Sequence, residues 1–321
     1  MVVRFAAALM LAWSCVAAGA TGWSRPEESA VREEDLLFND PFSGGFGTRA
    51  VHFSGRLNDG TLYHFSIFRW RYGLLGGWGL SVVVSLPDGT VYAREQKIPD
   101  STIQIASDRF DLAFSEGRMW GEDGRYQVRQ PDDGFVLRAS EPQAFMRYGV
   151  HSPWALTDGW MAVGGRLLSG KGQGFGDRSR AAFPLAQINP CLLAFDGFSD
   201  ARVPEQERWF LRVLSYRTHK AFGARQIAVV ILARGGRSLM TASDLQLAEL
   251  DLRPDAEGIP RPLGFQVLSS DSSGCQLAGE FICQRPIIIR DRGMFRGTVR
   301  LPDGSLQPLE LYGQSEYAQV Q

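Results

Sequence analysis

The chain has 321 residues, of which 44% are apolar and 21% charged, with a formal net charge of -1. That balance excludes a disordered chain and gives no basic surface for nucleic acid. Thirty-six glycines and an aromatic share of 11% favour tight turns between twisted strands over long helices.

In chain order, Arg4 precedes an apolar run over 5–18, and Ala18-Gly19-Ala20 has the small-x-small pattern of a signal-peptidase site. Residues 1–20 are therefore expected to be a signal peptide cleaved near Ala20, and the protein to be secreted or periplasmic. The run is short for a membrane span. Trp13 is bulky beside Cys15, which makes a lipoprotein the lesser reading. Residues 21–45 form an N-terminal segment. Within it Pro26, Glu27 and Glu28 predict a short helix over 24–38.

From there the strand signals dominate. Tyr63, Phe65 and Ile67 alternate with His64 and Ser66, the period-two pattern of a half-buried strand, and Trp209, Leu211 and Val213 do the same. The runs 229–232 and 287–289 read as strands buried on both faces. Residues 243–252 fit either a short helix or a strand. Six Asp-Gly pairs, at Asp59, Asp88, Asp123, Asp133, Asp158 and Asp303, predict two-residue hairpin turns. Antiparallel strands with little helix between them must hide their edges, and closing into barrels does so. The length exceeds what one core usually serves. The expected architecture is all-β, with two consecutive antiparallel barrels over 46–155 and 156–321. Residues 299–305 echo 84–90 around a shared Leu-Pro-Asp-Gly, either as a trace of duplication or as common turn chemistry.

Cys275 and Cys283 flank seven residues, which suggests a disulfide closing a hairpin in an oxidising compartment. Cys191 reads as a small buried apolar residue. The stretch Gly165-x4-Gly170-Lys171-Gly172 is a near-miss to a phosphate loop, since glycine stands where magnesium needs Ser or Thr. Gly170, Gly172, Gly174 and Gly176 alternate, fitting one face of a strand that something approaches closely, or a flexible loop. Asp177 stands beside Arg178 and near Arg180, which predicts an ionised carboxylate held below its ordinary pKa. No His, Cys pair has metal-ligand spacing, and no motif asks for a cofactor. His151 is the histidine singled out, for its aromatic neighbours Tyr148 and Trp154. Trp70 and Trp78, with Trp154 and Trp160, suit either an apolar ligand pocket or barrel packing.

Three segments resemble the two-barrel lipocalin-like (calycin-like) proteins, the group of carotenoid hydratases, tocopherol cyclases and survival-factor lipid-handling proteins. They are residues 53–63, similar to an opening strand pair, 164–180, similar to a glycine-rich strand opening the second domain, and 311–317, similar to a closing strand. The resemblance implies two lipocalin-like barrels and an apolar ligand, and it marks Asp177 and Glu316 as site positions. Arg178 departs from the histidine that the pattern favours there. The functional expectation is an exported binding protein for a lipid or isoprenoid-like molecule, held in a barrel or an inter-barrel cleft. The alternative is a hydratase, cyclase or isomerase acting on a polyene or terpenoid. Its candidate catalytic groups are Asp177, Glu316 and His151, with Trp70, Trp78, Trp154, Trp160 and Arg178 against the ligand. The expected partner is an apolar small molecule or lipid, with peripheral membrane contact and no nucleic acid.

Overall fold

The computed structural model describes residues 28–29, 46–107, 111–114, 117–122, 125–129, 135–140, 145–146, 150–163, 166–181, 191–217, 226–254, 258, 260–285 and 290–319. The expected signal peptide, the aspartates at 123 and 133, the run 287–289 and Tyr148 lie outside them.

The described residues form strands almost throughout, with two single 3₁₀ turns and no α-helix. The first sheet holds β1 (Glu28–Ser29), β2 (Phe46–Leu57), β3 (Leu62–Tyr72), β4 (Leu75–Ser85), β5 (Val91–Ile98), β6 (Gln104–Ile105) and β7 (Asp111–Phe114). It continues with β8 (Gly117–Glu122), β9 (Arg125–Arg129), β10 (Phe135–Ser140), β11 (Phe145–Met146), β12 (Val150–Val163) and β13 (Arg166–Ala181). The second holds β14 (Cys191–Phe198), β15 (Trp209–Arg217), β16 (Gln226–Arg234), β17 (Arg237–Ala242) and β18 (Asp244–Pro254). Its remaining strands are β19 (Pro260–Ser270), β20 (Gln276–Arg285), β21 (Asp291–Arg300) and β22 (Leu306–Gln319).

Both sheets curl by one plan. The first runs β5-β4-β3-β2-β13-β12-β10-β9-β8-β7-β6, and the second β17-β16-β15-β14-β22-β21-β20-β19-β18. Strands meander up and down, and the last pairs with the first of the main run. The seam falls after the fourth strand of that run, between β5 and β6 or between β17 and β18. Side chains close each seam. Ile98 of β5 shares a core with Leu112 and Phe114 of β7, and Met240 of β17 shares one with Leu245 of β18. The result is all-β, two consecutive antiparallel lipocalin-like barrels.

Several expectations change. Of the predicted helix over 24–38 only residues 28–29 are described, and they form β1, paired with β11; there a neighbouring strand edge outweighs the weak start signal. Residues 244–254 are strand, not helix. The change of sheet lies between Ala181 and Cys191, so the expected division at 155/156 falls inside β12. The Asp-Gly turns at Asp59, Asp88 and Asp303 are three-residue loops. In each loop the glycine is the one residue with positive φ: Gly60 at 91°, Gly89 at 85° and Gly304 at 85°. In the second of these loops Leu86 N donates to Thr90 O at 2.8 Å, while Gly89 N donates back to Leu86 O at 3.0 Å. That is the type I turn with a glycine bulge. Asp158-Gly159 is no turn but the middle of β12. The two Leu-Pro-Asp-Gly turns join β4 to β5 and β21 to β22, which are unlike places in the two barrels; shared turn chemistry explains them.

Cys275 and Cys283 are not bridged. Cys275 immediately precedes β20 and Cys283 lies eight residues further on, within that strand. At ~3.3 Å per residue their Cα atoms stand about 26 Å apart, far beyond the span of a disulfide. Burial raises the Cys275 thiol to about 11.

The glycines of β13 form a strand face rather than a loop. A Cβ on Gly172 would fall 2.2 Å from Arg56 O of β2, so this strand pair tolerates no side chain there.

Candidate active site between the barrels

The first two strands of each barrel's main run are buried on both faces. Val51, Phe53 and Leu57 of β2 and Tyr63, Phe65 and Ile67 of β3 fill the first barrel. Leu193 and Phe195 of β14 and Leu211 and Val213 of β15 fill the second. Their alternate positions face the other barrel. That covering explains why His64 and Ser66, polar positions in a strand expected to be half-buried, are only 3% and 4% exposed.

This inter-barrel layer has two parts. One is apolar: Leu62 and Phe175 meet Phe198, Phe210, Val229 and Ile231. The Phe175 and Phe210 rings stack with centroids 4.9 Å apart. The other part is charged. Arg212 of β15 donates from Nη1 to Asp196 Oδ1 at 2.5 Å and from Nη2 to Asp177 Oδ2 at 2.7 Å. Arg290 donates to Asp196 Oδ2 at 3.1 Å and to Glu316 Oε2 at 2.8 Å. One end of this chain rests on β13 of the first barrel, and the rest on the second.

Histidines cap the first-barrel end. His52 is the cross-strand partner of Asp177, with Nε2 3.9 Å from Asp177 Oδ1. Its ring stacks on His64 with centroids 5.6 Å apart. His64 Nδ1 lies 2.8 Å from Ser54 Oγ. Arg212 also lies over the Phe175 ring, 5.2 Å from its centroid, which joins the charged part to the apolar one.

Three carboxyls share two guanidiniums here, so full ionisation leaves an excess negative charge in a buried place. Burial alone would raise Asp196, but Arg212 and Arg290 flank it and hold it below the ordinary carboxylate value. Asp177 shares Arg212 with Asp196 and also feels the charge of Arg290. Burial and the negative charge of Asp196 and Glu316 outweigh that, and its pKa rises to about 7. Burial, with the nearby positive charge of Arg290 and Arg212, lowers His52 to about 3 and His64 well below its ordinary value. Near neutral pH the histidines are uncharged, and Asp177 holds its proton far above the pH at which an ordinary carboxyl loses it. Its Oδ1 is buried and takes no hydrogen bond among the described residues.

The expectation of a depressed Asp177 pKa is therefore overturned. Sequence neighbours on a strand point to opposite faces, and the guanidinium that meets Asp177 is Arg212 from the other barrel. Of the predicted catalytic residues, the structure joins Asp177 and Glu316 through Arg212, Asp196 and Arg290. His151 sits on β12 where Val150 pairs with Asp177 and Ser152 with Gly176, so it is the extra residue of a bulge beside Asp177. The side chains of His151, Trp154, Trp160 and Arg178 lie outside the described atoms. Trp78 is packed in the first barrel's core. Trp70 lies near the far end of β3, its ring against Gly77; neither joins the charged layer. His52, His64, Asp196, Arg212 and Arg290 were not singled out from the sequence. A signal existed: Asp196 stands alone in an otherwise apolar strand, and Arg212 interrupts the apolar run 209–214.

Fold and site together define a two-barrel lipocalin-like protein with a protonatable acid buried between its barrels. No protein-family model matches the sequence, and no curated protein matches it. Solved structures do. A protein described as a putative AttH (NE1406) from Nitrosomonas europaea superposes with a TM-score of 0.62 at 14% identity, over 90% of this chain and 97% of that one. Kievitone hydratase from Nectria haematococca gives 0.60 at 12%, over 92% and 97%. CghA gives 0.59 at 11%, over 86% and 88%, and has also been solved with Sch210972. At these identities the likeness is one of fold.

Proposed function

We propose that the protein is an enzyme of hydratase, cyclase or isomerase type that protonates an apolar, unsaturated substrate such as a polyene or terpenoid. The observation that carries this reading is Asp177, a buried carboxyl with a pKa of about 7 and one oxygen without a hydrogen bond among the described residues. An acid is most useful near the working pH, and burial supplies that here. In the proposed step Asp177 gives its proton to one carbon of a double bond, and the other becomes electron-deficient. Water addition with loss of one of its protons, ring closure followed by loss of a proton from the new cation, or direct loss of a neighbouring proton then gives the three reaction types, and the proton lost returns to the Asp177 carboxylate. Arg212 holds that carboxylate in place after the transfer. The hydratase name of one fold neighbour supports this class.

The alternative, a binding protein with a ligand inside a barrel, draws less support. In the second barrel Phe195 packs against Phe265, Phe281 and Phe295. A groove of about 690 Å³, lined among others by Gln246, Gln266, Leu268 and Arg296, lies on that barrel's outer face. Co-purified lipid found by mass spectrometry, without turnover, would restore this alternative.

The test is to incubate the protein with polyenes and terpenoids in deuterated water and follow label into carbon. Asp177→Asn is expected to lower turnover by about 10²–10⁴-fold while the protein stays folded. Turnover that survives this change removes Asp177 from the role.

A further inference from the structure

Most hairpins of this chain end in polar or glycine turns. Asn58-Asp59-Gly60, Pro87-Asp88-Gly89, Gly235-Gly236 and Pro302-Asp303-Gly304 are among them. Among the described hairpin turns the β3–β4 turn stands apart. Tyr72 pairs with Leu75, which leaves Gly73 and Leu74 as the two turn residues. Gly73 takes φ 61°, the first central position of a II′ turn. Leu74 is 101% exposed and Leu75 67% exposed. Two adjacent leucines thus stand in water at a tip where the turn geometry makes no demand for them.

The hairpin itself carries charge of one sign. From residue 62 to 85 the hairpin has no Asp or Glu, while Arg69 and Arg71 lie just behind the leucines. Arg71 is exposed, and its Nε donates to Gly73 O at 3.2 Å, which holds the guanidinium at the base of the turn. Arg69 lies over the Trp78 ring, 5.4 Å from its centroid, and Asp100 is the acidic group near it. Trp70, half-buried, lies between the two arginines.

We infer that the β3–β4 tip docks the protein on an anionic lipid surface. Leu74 and Leu75 enter the apolar boundary, Trp70 lies at the headgroup level, and Arg71 meets the lipid phosphates and carboxylates. Leucines ahead of an aromatic and cations form the usual order of an interfacial anchor. A convex two-residue tip suits insertion between lipids better than it suits a flat protein face. The inference goes beyond the acid chemistry and does not depend on it.

The test is co-sedimentation of the full chain with vesicles of phosphatidylcholine alone or mixed with phosphatidylserine. The protein is expected to pellet with the mixed vesicles and to be released by salt. Leu74→Glu with Leu75→Glu is expected to lower the partition at least about tenfold, because apolar area leaves the lipid and negative charge is added. Arg71→Gln is expected to lower it severalfold and flatten the salt dependence. Both leucines are exposed, so an unchanged thermal midpoint checks the fold; Leu74→Ser alone serves if the double change perturbs it. No pelleting with mixed vesicles overturns the inference, as does equal pelleting of the double variant. A double variant that only converts a dimer to a monomer makes the tip a self-association surface and also overturns it.

Discussion

The two parts of the inter-barrel layer differ in what they contribute. The apolar part, centred on the Phe175–Phe210 stack, gains by leaving water and holds the barrels together. The charged part, from Asp177 to Glu316, costs desolvation for each ion it buries and returns little net stability. A fold that needed only adhesion would fill both parts alike. The charged part instead keeps one carboxyl short of a full cation partner, and this makes the acid.

Substitutions can set the two parts against each other. Phe210→Ala, in the apolar part, is expected to cost about 4 kcal/mol by chemical denaturation, through lost burial and an unfilled cavity. Arg212→Met removes a cation shared by two buried carboxylates and is expected to cost about 3 kcal/mol. That loss is smaller because Asp177 takes up a proton to compensate. A near-neutral Arg212→Met would mean that the charged part is solvated.

The pH dependence separates the groups further. Asp177 rises from 3.8 to about 7 on folding, so its contribution is full below about 4 and is lost as the pH rises through 7. His52 falls from 6.5 to about 3, so its contribution is present above 6.5 and is lost as the pH falls toward 3. His64 acts in the same direction. The two effects oppose each other between about 4 and 6.5, with the histidines prevailing. Asp177→Asn removes the opposing effect. Stability is then expected to climb more steeply with pH in that window, by about one proton per molecule. An unchanged slope in unfolding curves taken across the window would contradict the raised Asp177 pKa. The smallest effect belongs to Ser54→Ala, which removes a hydroxyl from His64 and is expected to cost about 1 kcal/mol.

The barrels were legible in the sequence because alternation and turn chemistry are local. Tyr63, Phe65 and Ile67 mark their inward face by spacing alone, and the Asp-Gly pair at Asp88 marks a hairpin. The second buried face was legible only where it is apolar, as in residues 229–232. It was hidden at His64 and Ser66, which look like solvent positions until another barrel covers them. The site escaped for a related reason. Asp177 and Arg212 are 35 residues apart, and Asp196 and Arg290 are 94 apart, so no local spacing joins them. The cysteine spacing misled because eight residues can follow one strand as readily as round a hairpin.

Strands covered on both sides have a consequence for the molecule's origin as a working unit. Split at the 182–190 link, each half would present phenyl rings and bare ions to solvent, and Asp177 would relax toward an ordinary carboxylate. The acid is a property of the joined pair that neither barrel has alone. Proton affinity at a single side chain would therefore report, in a mixture of separated halves, how completely they have found each other.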